Sequence, residues 1–162
     1  MTAYHVRWMT RRDMPDVLAI EAACFEFPWP EEEFIRCLRL RNCIGQVVTP
    51  ANDEFNVLGF VIYALYPKHL DVLNVAVHPD QRRRGVGRAM LDKLLGKLST
   101  QRRTRLTTMV RESNLDAQLF FRALGFRATG VLRDYYDNSD EDAYCFSYSL
   151  PSDVAAELEP QS

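Results

Sequence analysis

Residues 74–87 read Asn74-Val75-Ala76-Val77-His78-Pro79-Asp80-Gln81-Arg82-Arg83-Arg84-Gly85-Val86-Gly87. The stretch leaves a strand, turns at Pro79 and enters a helix. Gly85 and Gly87 let the backbone approach a bulky anion closely and adopt an unusual φ. The first amides of a helix have no partner within it and carry the positive end of its dipole. Arg82, Arg83 and Arg84 add fixed charge on groups whose geometry suits phosphate. Together these features predict a pyrophosphate cradle. A run of three arginines is by itself an ordinary solvated surface; the GxG at a helix start behind a strand decides the reading. A Walker A loop would need GxxxxGK followed by Ser or Thr, which is absent, and a dinucleotide fingerprint would need a glycine where Met90 stands.

Outward from this stretch the chain alternates elements. Upstream, His5–Met9 reads as a strand, and Thr10 as the cap of a helix with Asp13 near its positive end. The apolar stripe of that helix is Val17, Leu18, Ile20, Ala23 and Cys24. Phe27-Pro28-Trp29-Pro30 ends it, and a second helix starts near Pro30 with Glu31, Glu32 and Glu33 in its first turn. Its expected buried face is Phe34, Ile35 and Leu38. Cys43–Thr49, Val57–Tyr66 and Leu70–Val77 are β-branched and aromatic and read as strands. Downstream, Gly85–Leu98 has helical spacing and Arg105–Val110 reads as a strand. Asn114 caps a helix with Ala117, Phe120, Phe121 and Leu124 on its apolar face and Gly125 beyond its end. Two last strands, Phe126–Arg133 and Asp142–Leu150, flank the turn Asn138-Ser139-Asp140-Glu141. The order βααβββαβαββ implies an α/β (α+β) domain over 1–150, a mixed sheet with helices packed on it, followed by a flexible tail over 151–162.

The 162 residues suit one domain, and 47% hydrophobic with 26% charged is an ordinary globular balance. A net charge of −2 exerts no global pull toward nucleic acid or anionic membrane. Arg82–Arg84 with Arg102, Arg103 and Arg105 offer no nucleic-acid reader motif. No apolar run approaches the ~20 residues of a membrane span, and MTAYHVRW lacks a signal-peptide apolar core. Cys24, Cys37, Cys43 and Cys145 form no CxxC pair or zinc spacing. They read as free thiols, so no metal and a cytoplasmic location are expected.

Residues 5–150 resemble the GNAT acetyltransferases. Their cradle pattern after the fourth strand, Gln/Arg-x-x-Gly-x-Gly/Ala, is matched by Arg82, Gly85 and Gly87; their later Asn by Asn114; and their helix-ending LGF by Leu124-Gly125-Phe126. The resemblance implies a seven-stranded, mostly antiparallel sheet with about four helices. It also implies acetyl-CoA as co-substrate. Its pyrophosphate would lie on Arg82, Arg83, Arg84, Gly85, Val86, Gly87 and Arg88, its pantetheine arm on the main chain of Val75, Ala76 and Val77, with Asn114 and Phe121 as further contacts. Phe25-Glu26-Phe27-Pro28-Trp29 and Arg133-Asp134-Tyr135-Tyr136 with Glu141-Asp142-Ala143 are similar to the acceptor loop and last hairpin of the bacterial ribosomal-protein alanine N-acetyltransferases, the RimI-like group. That likeness implies a protein or peptide N-terminus as acceptor, a ribosomal protein among them, held by Phe27, Trp29, Tyr135 and Tyr136. The same aromatics also suit plain packing and a sheet edge.

The sequence departs from that group at the chemistry. The family's base glutamate falls on Met109 and its acid tyrosine on Phe121. An α-amine, with a pKa of about 7.7–8.0, is partly neutral without a base, whereas a lysine at about 10.4 is not. The missing glutamate therefore favours a weakly basic amine. Asp71, on the strand expected beside the fifth, is the candidate replacement, ordering a water opposite Met109. His78, Glu112 and Glu26 are further candidates. Three functional readings follow: an N-terminal acetyltransferase, a small-molecule amine acetyltransferase, and a catalytically weak acyl-CoA-binding module. Monomer and homodimer both remain open.

Overall fold

The computed structural model describes residues 3–151, so all of the expected tail except Pro151 lies outside the described residues. The elements follow the expected order: β1 (Tyr4–Trp8), α1 (Met14–Cys24), α2 (Glu31–Arg39), β2 (Cys43–Pro50), β3 (Gly59–Leu65), β4 (His69–Val77), α3 (Val86–Leu95), β5 (Arg105–Arg111), α4 (Leu115–Ala123), β6 (Arg127–Leu132) and β7 (Ala143–Ser149). Short 3-10 turns at Arg11–Asp13 and Pro79–Gln81 precede α1 and follow β4. The seven strands lie in the order β1-β2-β3-β4-β5-β7-β6. β1–β2, β2–β3, β5–β7 and β6–β7 are antiparallel, and β4–β5 is parallel.

Two compact units make up the chain. One consists of the chain up to Leu65 with Leu73–Leu94, and the other of Tyr66–Val72 with the chain from Leu95 on. Strand β4 thus contributes to both.

In the first unit, Val47 and Val48 are both fully buried, and so are Phe60, Val61 and Ile62. Consecutive burial means that both faces of β2 and β3 are covered, so their sequences run apolar without alternation. Phe34 of α2 packs edge-on against Phe60 of β3, with ring centroids 5.6 Å apart. The helices depart from the expected stripes. Met14, Val17, Ile20 and Glu21 are the buried residues of α1, whereas Ala23 is exposed. On α2, Phe34 and Cys37 are buried, and Ile35 and Leu38 are only half-buried. Both helices rest on the sheet along a narrower line than the sequence suggests. A glutamate and a cysteine occupy places that hydropathy would give to aliphatics. At the start of β3, a Cβ on Gly59 would stand 2.8 Å from the Ala76 carbonyl oxygen, so only glycine permits this approach to β4.

In the second unit β5 alternates between buried and more exposed positions. Register pairs Leu70 with Leu106, Val72 with Thr108, and Thr108 with Phe146. These residues are buried, and the Thr108 hydroxyl donates to the Val72 carbonyl at 3.1 Å. The opposite face carries Asp71, Thr107, Met109 and Arg111. Asn114 Oδ1 accepts from the Ala117 amide at 3.1 Å, capping α4 as expected, and Gly125 ends it at φ +96°. Of the expected apolar face of α4 only Phe121 is fully buried.

The entrance to α1 is set by a part-buried ion pair. Both Asp13 oxygens accept from Arg7 at 2.8 Å, and the Thr10 amide and hydroxyl add bonds of 2.8 and 3.1 Å. Burial alone would raise the Asp13 carboxyl, but the Arg7 hydrogen bonds and charge and the Thr10 donors hold it below the usual carboxylate range. A depressed carboxyl stabilises the fold above the unfolded-state pKa, and this contribution is lost as pH falls through the folded value. Asp13→Asn is therefore expected to destabilise the protein at pH 7 by about 1–3 kcal/mol, since it removes the charged partner of a part-buried guanidinium. It should also flatten the acid limb of the stability profile below about pH 4. Urea unfolding from pH 3 to 8 checks both.

Candidate active site

β4 ends at Val77, and the turn that follows is closed by its own residues. His78 Nδ1 accepts from the Asp80 amide at 3.1 Å, so the histidine caps the turn rather than offering a base. Arg83 then lies in the left-handed region at φ +63° and Gly85 at φ +83°. Gly87 does not share this property; it sits inside the first turn of α3, and Arg83 is the second left-handed residue instead. The Ala89 amide makes a helical bond of 2.9 Å to Gly85 O, which leaves the amides of Val86, Gly87 and Arg88 with no acceptor one turn back. Arg82, Arg83 and Arg84 are exposed around them. The Tyr4 hydroxyl of β1 donates to Arg84 O at 2.7 Å and fixes the turn. Three unpaired amides, a helix dipole and an arginine rim lie together in the first unit, the arrangement an anion cradle requires.

The loop between α1 and α2 is held from beneath. Glu21, 2% exposed, accepts from Asn74 Nδ2 at 2.7 Å through Oε1 and from the Trp29 amide at 2.8 Å through Oε2. Burial pushes its carboxyl up, and the two hydrogen bonds offset part of that rise. Trp29 packs edge-on against Phe34 at 5.2 Å, so its ring joins the core of this unit. Phe27 is half-buried and Glu26 is exposed.

In the second unit, Asp71 faces Thr107, whose hydroxyl donates to Asp71 Oδ1 at 2.8 Å. Burial raises the Asp71 carboxyl above its ordinary value, against the pull of Thr107 and His69. The expected placement opposite Met109 is corrected by the register. Asp71 lies opposite Thr107, and Met109, 38% exposed, comes two residues later on the same face. The Glu112 carboxylate accepts from the Asp142 amide at 3.0 Å and is committed to the hairpin. Phe121 is 2% exposed and packs edge-on against Phe120 and Phe126, so its ring belongs to an aromatic cluster.

Arg111 organises the hairpin tip. Its Nη1 donates to Ser139 Oγ at 2.9 Å and Glu141 Oε2 at 3.1 Å, and its Nη2 to Asn138 Oδ1 at 2.7 Å. Its guanidinium carbon lies 3.7 Å from the centroid of the Tyr136 ring. Tyr136 in turn meets Tyr135 at 5.0 Å, nearly perpendicular. Burial pushes the Tyr136 hydroxyl up to about 12, so it stays a proton donor at neutral pH. Asp134, at φ +49°, donates its amide to Asp142 Oδ1 at 2.9 Å. Sequence patterns indicated the tyrosines but not Glu21, Asn74, Thr107 or Arg111. The partners of those four come from distant segments, and only the sharing of a face or register by polar residues on strands hinted at them.

A helix N-terminus with unpaired amides and an arginine rim behind β4 suits a pyrophosphate-bearing donor. The Acetyltransferase (GNAT) family matches residues 14–126, and the chain belongs to that family. It is an acetyltransferase of that family, whose acyl donor is acetyl-CoA. It is 32% identical over 133 residues to the [ribosomal protein bS18]-alanine N-acetyltransferase of Escherichia coli K12, covering 81% of this chain and 87% of that one. It is 29% identical over 144 residues to the N-alpha-acetyltransferase RimI of Mycobacterium tuberculosis, covering 84% and 86%. The crystal structure of Ard1 from Thermoplasma volcanium superposes with a TM-score of 0.79 at 26% identity, over 91% of this chain and 98% of that one.

Gly85→Ala would meet no atom within 4 Å, so its whole cost is the strain of a left-handed alanine. That strain is about 1–2 kcal/mol, and relief by loop movement would misalign the cradle amides. Calorimetry is expected to show acetyl-CoA Kd rising by roughly tenfold. Arg111→Lys keeps the charge but loses the planar fork that spans Ser139, Glu141 and Asn138. Acceptor KM should rise while acetyl-CoA Kd holds, as steady-state kinetics and calorimetry would report.

Proposed function

We propose that the chain transfers the acetyl group of acetyl-CoA to the α-amine of a protein N-terminus, a ribosomal protein being the acceptor class its relatives suggest. The observation that carries this reading is the pairing of Tyr135 and Tyr136 on a hairpin fixed by Arg111, next to a sheet face that holds the half-buried carboxylate of Asp71. Tyrosine hydroxyls suit a peptide main chain, and the ring faces suit its first side chains. Likeness to the alanine N-acetyltransferase of Escherichia coli over 87% of its length supports the same acceptor. No helix among the described residues is long and apolar enough to cross a membrane, and ribosomal acceptors would place the reaction in the cytoplasm.

Asp71 takes the part of the base. The neutral amine attacks the thioester carbonyl; the new C–N bond forms and the C–S bond breaks. The amine's surplus proton passes through a water to Asp71, and CoA leaves as thiolate, which solvent protonates. Phe121 has no proton to give, so positioning carries much of the rate. An α-amine needs only a modest base, which a carboxylate raised by burial supplies. Val75, Ala76 and Val77 would hold the pantetheine arm by main-chain groups, as in a strand pair. Asn114 caps α4, and its part in binding acetyl-CoA would be secondary.

Release of free thiol from acetyl-CoA is the test. Peptides beginning with Ala or Ser and a free α-amine should turn over, and peptides with a blocked N-terminus and an internal lysine should not. Turnover confined to small amines such as polyamines would sink the N-terminal reading. Asp71→Asn should lower kcat by roughly 10–100-fold with acetyl-CoA Kd unchanged. Because the folded carboxyl is raised, the wild-type acid limb of kcat should lie above the ordinary aspartate range, and Asn should remove it.

A further inference from the structure

Glu21 is a buried carboxylate that the chemistry above does not use. It stands among Val17 and Ile20 on the packed side of α1, where an aliphatic side chain would avoid its desolvation cost. Its two oxygens each meet one donor, and the donors come from different elements: Trp29 in the α1–α2 loop and Asn74 on β4. The loop donor is singular. Pro28 and Pro30 have no N–H, so Trp29 supplies the sole main-chain donor in the Pro28–Pro30 segment. Cys24, one turn further along α1, donates its thiol to Val77 O at 3.2 Å. The end of α1 is therefore tied to β4 at both limits of Asn74–Val77, the segment that precedes the cradle, and one of those ties also grips the loop.

From this arrangement we infer that Glu21 is a positioning residue for acyl transfer: it holds the Phe25–Trp29 loop in register with β4, and so sets where the acceptor peptide lies. The inference rests on the N-terminal acetyltransferase reading, because the loop matters to rate only where it walls the acceptor. Phe27, half-buried, stands two residues before the gripped amide. Trp29, with its ring in the core and its amide on Glu21, is the loop's fixed end. The cradle turn has its own support in the Tyr4–Arg84 bond.

Glu21→Met keeps length and buried volume, removes both acceptors and avoids burying a charge. Glu21→Gln keeps an oxygen for the Trp29 amide, and its amide can pair with the Asn74 side chain after a flip. In Glu21→Met, amide exchange at Trp29 should accelerate at least about tenfold and acceptor KM should rise about tenfold, the loss of one hydrogen bond to a charged group. Acetyl-CoA Kd and kcat should stay within about twofold. Glu21→Gln should recover most of the KM and the exchange protection. A purely structural role would lower Tm in both variants and leave acceptor KM unmoved; that result, or unchanged exchange at Trp29, overturns the inference. An active wild type with an unaffected Met variant overturns the positioning role alone. A wild type that acetylates no free-N-terminus peptide overturns the acceptor reading and this inference with it.

Discussion

Parallel strands cannot be joined by a hairpin. β4 and β5 are the single parallel pair among those described, and the chain between them must cross over through a helix. That requirement starts α3 shortly after β4 ends, with its unpaired amides at the carboxyl end of the strand. Open α/β sheets commonly bind ligands at that end. The cradle is thus a product of topology first and of arginines second. Arg83 carries the local strain of a left-handed non-glycine residue, and Gly85 adopts the same region without it, which lets the turn reach the helix in so few residues.

The polar groups that matter are paid for by pairing rather than exposure. Asp13 and Glu21 are both buried carboxylates of the first unit, yet they are shifted in opposite directions. Asp13 faces a full guanidinium and two Thr10 donors and stays low. Glu21 faces only two neutral N–H groups, which do not balance its loss of water, and rises. The same physics places Asp71 in the second unit, with one hydroxyl for company. A carboxylate held by a cation anchors a fold; one held by neutral donors orients what donates to it.

Element order was legible in the sequence because β-branched runs, helical spacing and turn residues agreed with one another at nearly every boundary. The cap at Asn114 and the glycine after α4 were legible for the same local reason. The buried faces of α1 and α2 were less so. Spacing names a stripe but not which residues of it meet the sheet, and Glu21 and Cys37 took positions that hydropathy assigns to aliphatics. His78 and Glu112 looked like candidate bases in the sequence because each lay near the expected site. Both are consumed by backbone amides, a fact that depends on the Asp80 turn and on the distant Asp142.

The sequence by itself determined what is local: the strand–turn–helix that follows β4, its glycine and arginines, and the family. Only the tertiary structure decided which groups pair. It put Asp71 opposite Thr107, Glu21 between Trp29 and Asn74, and Arg111 under Tyr136. The physical reason is that cradle geometry arises from adjacent backbone conformations. A carboxylate's proton affinity and a side chain's aim depend instead on partners and solvent exclusion supplied by segments dozens of residues away.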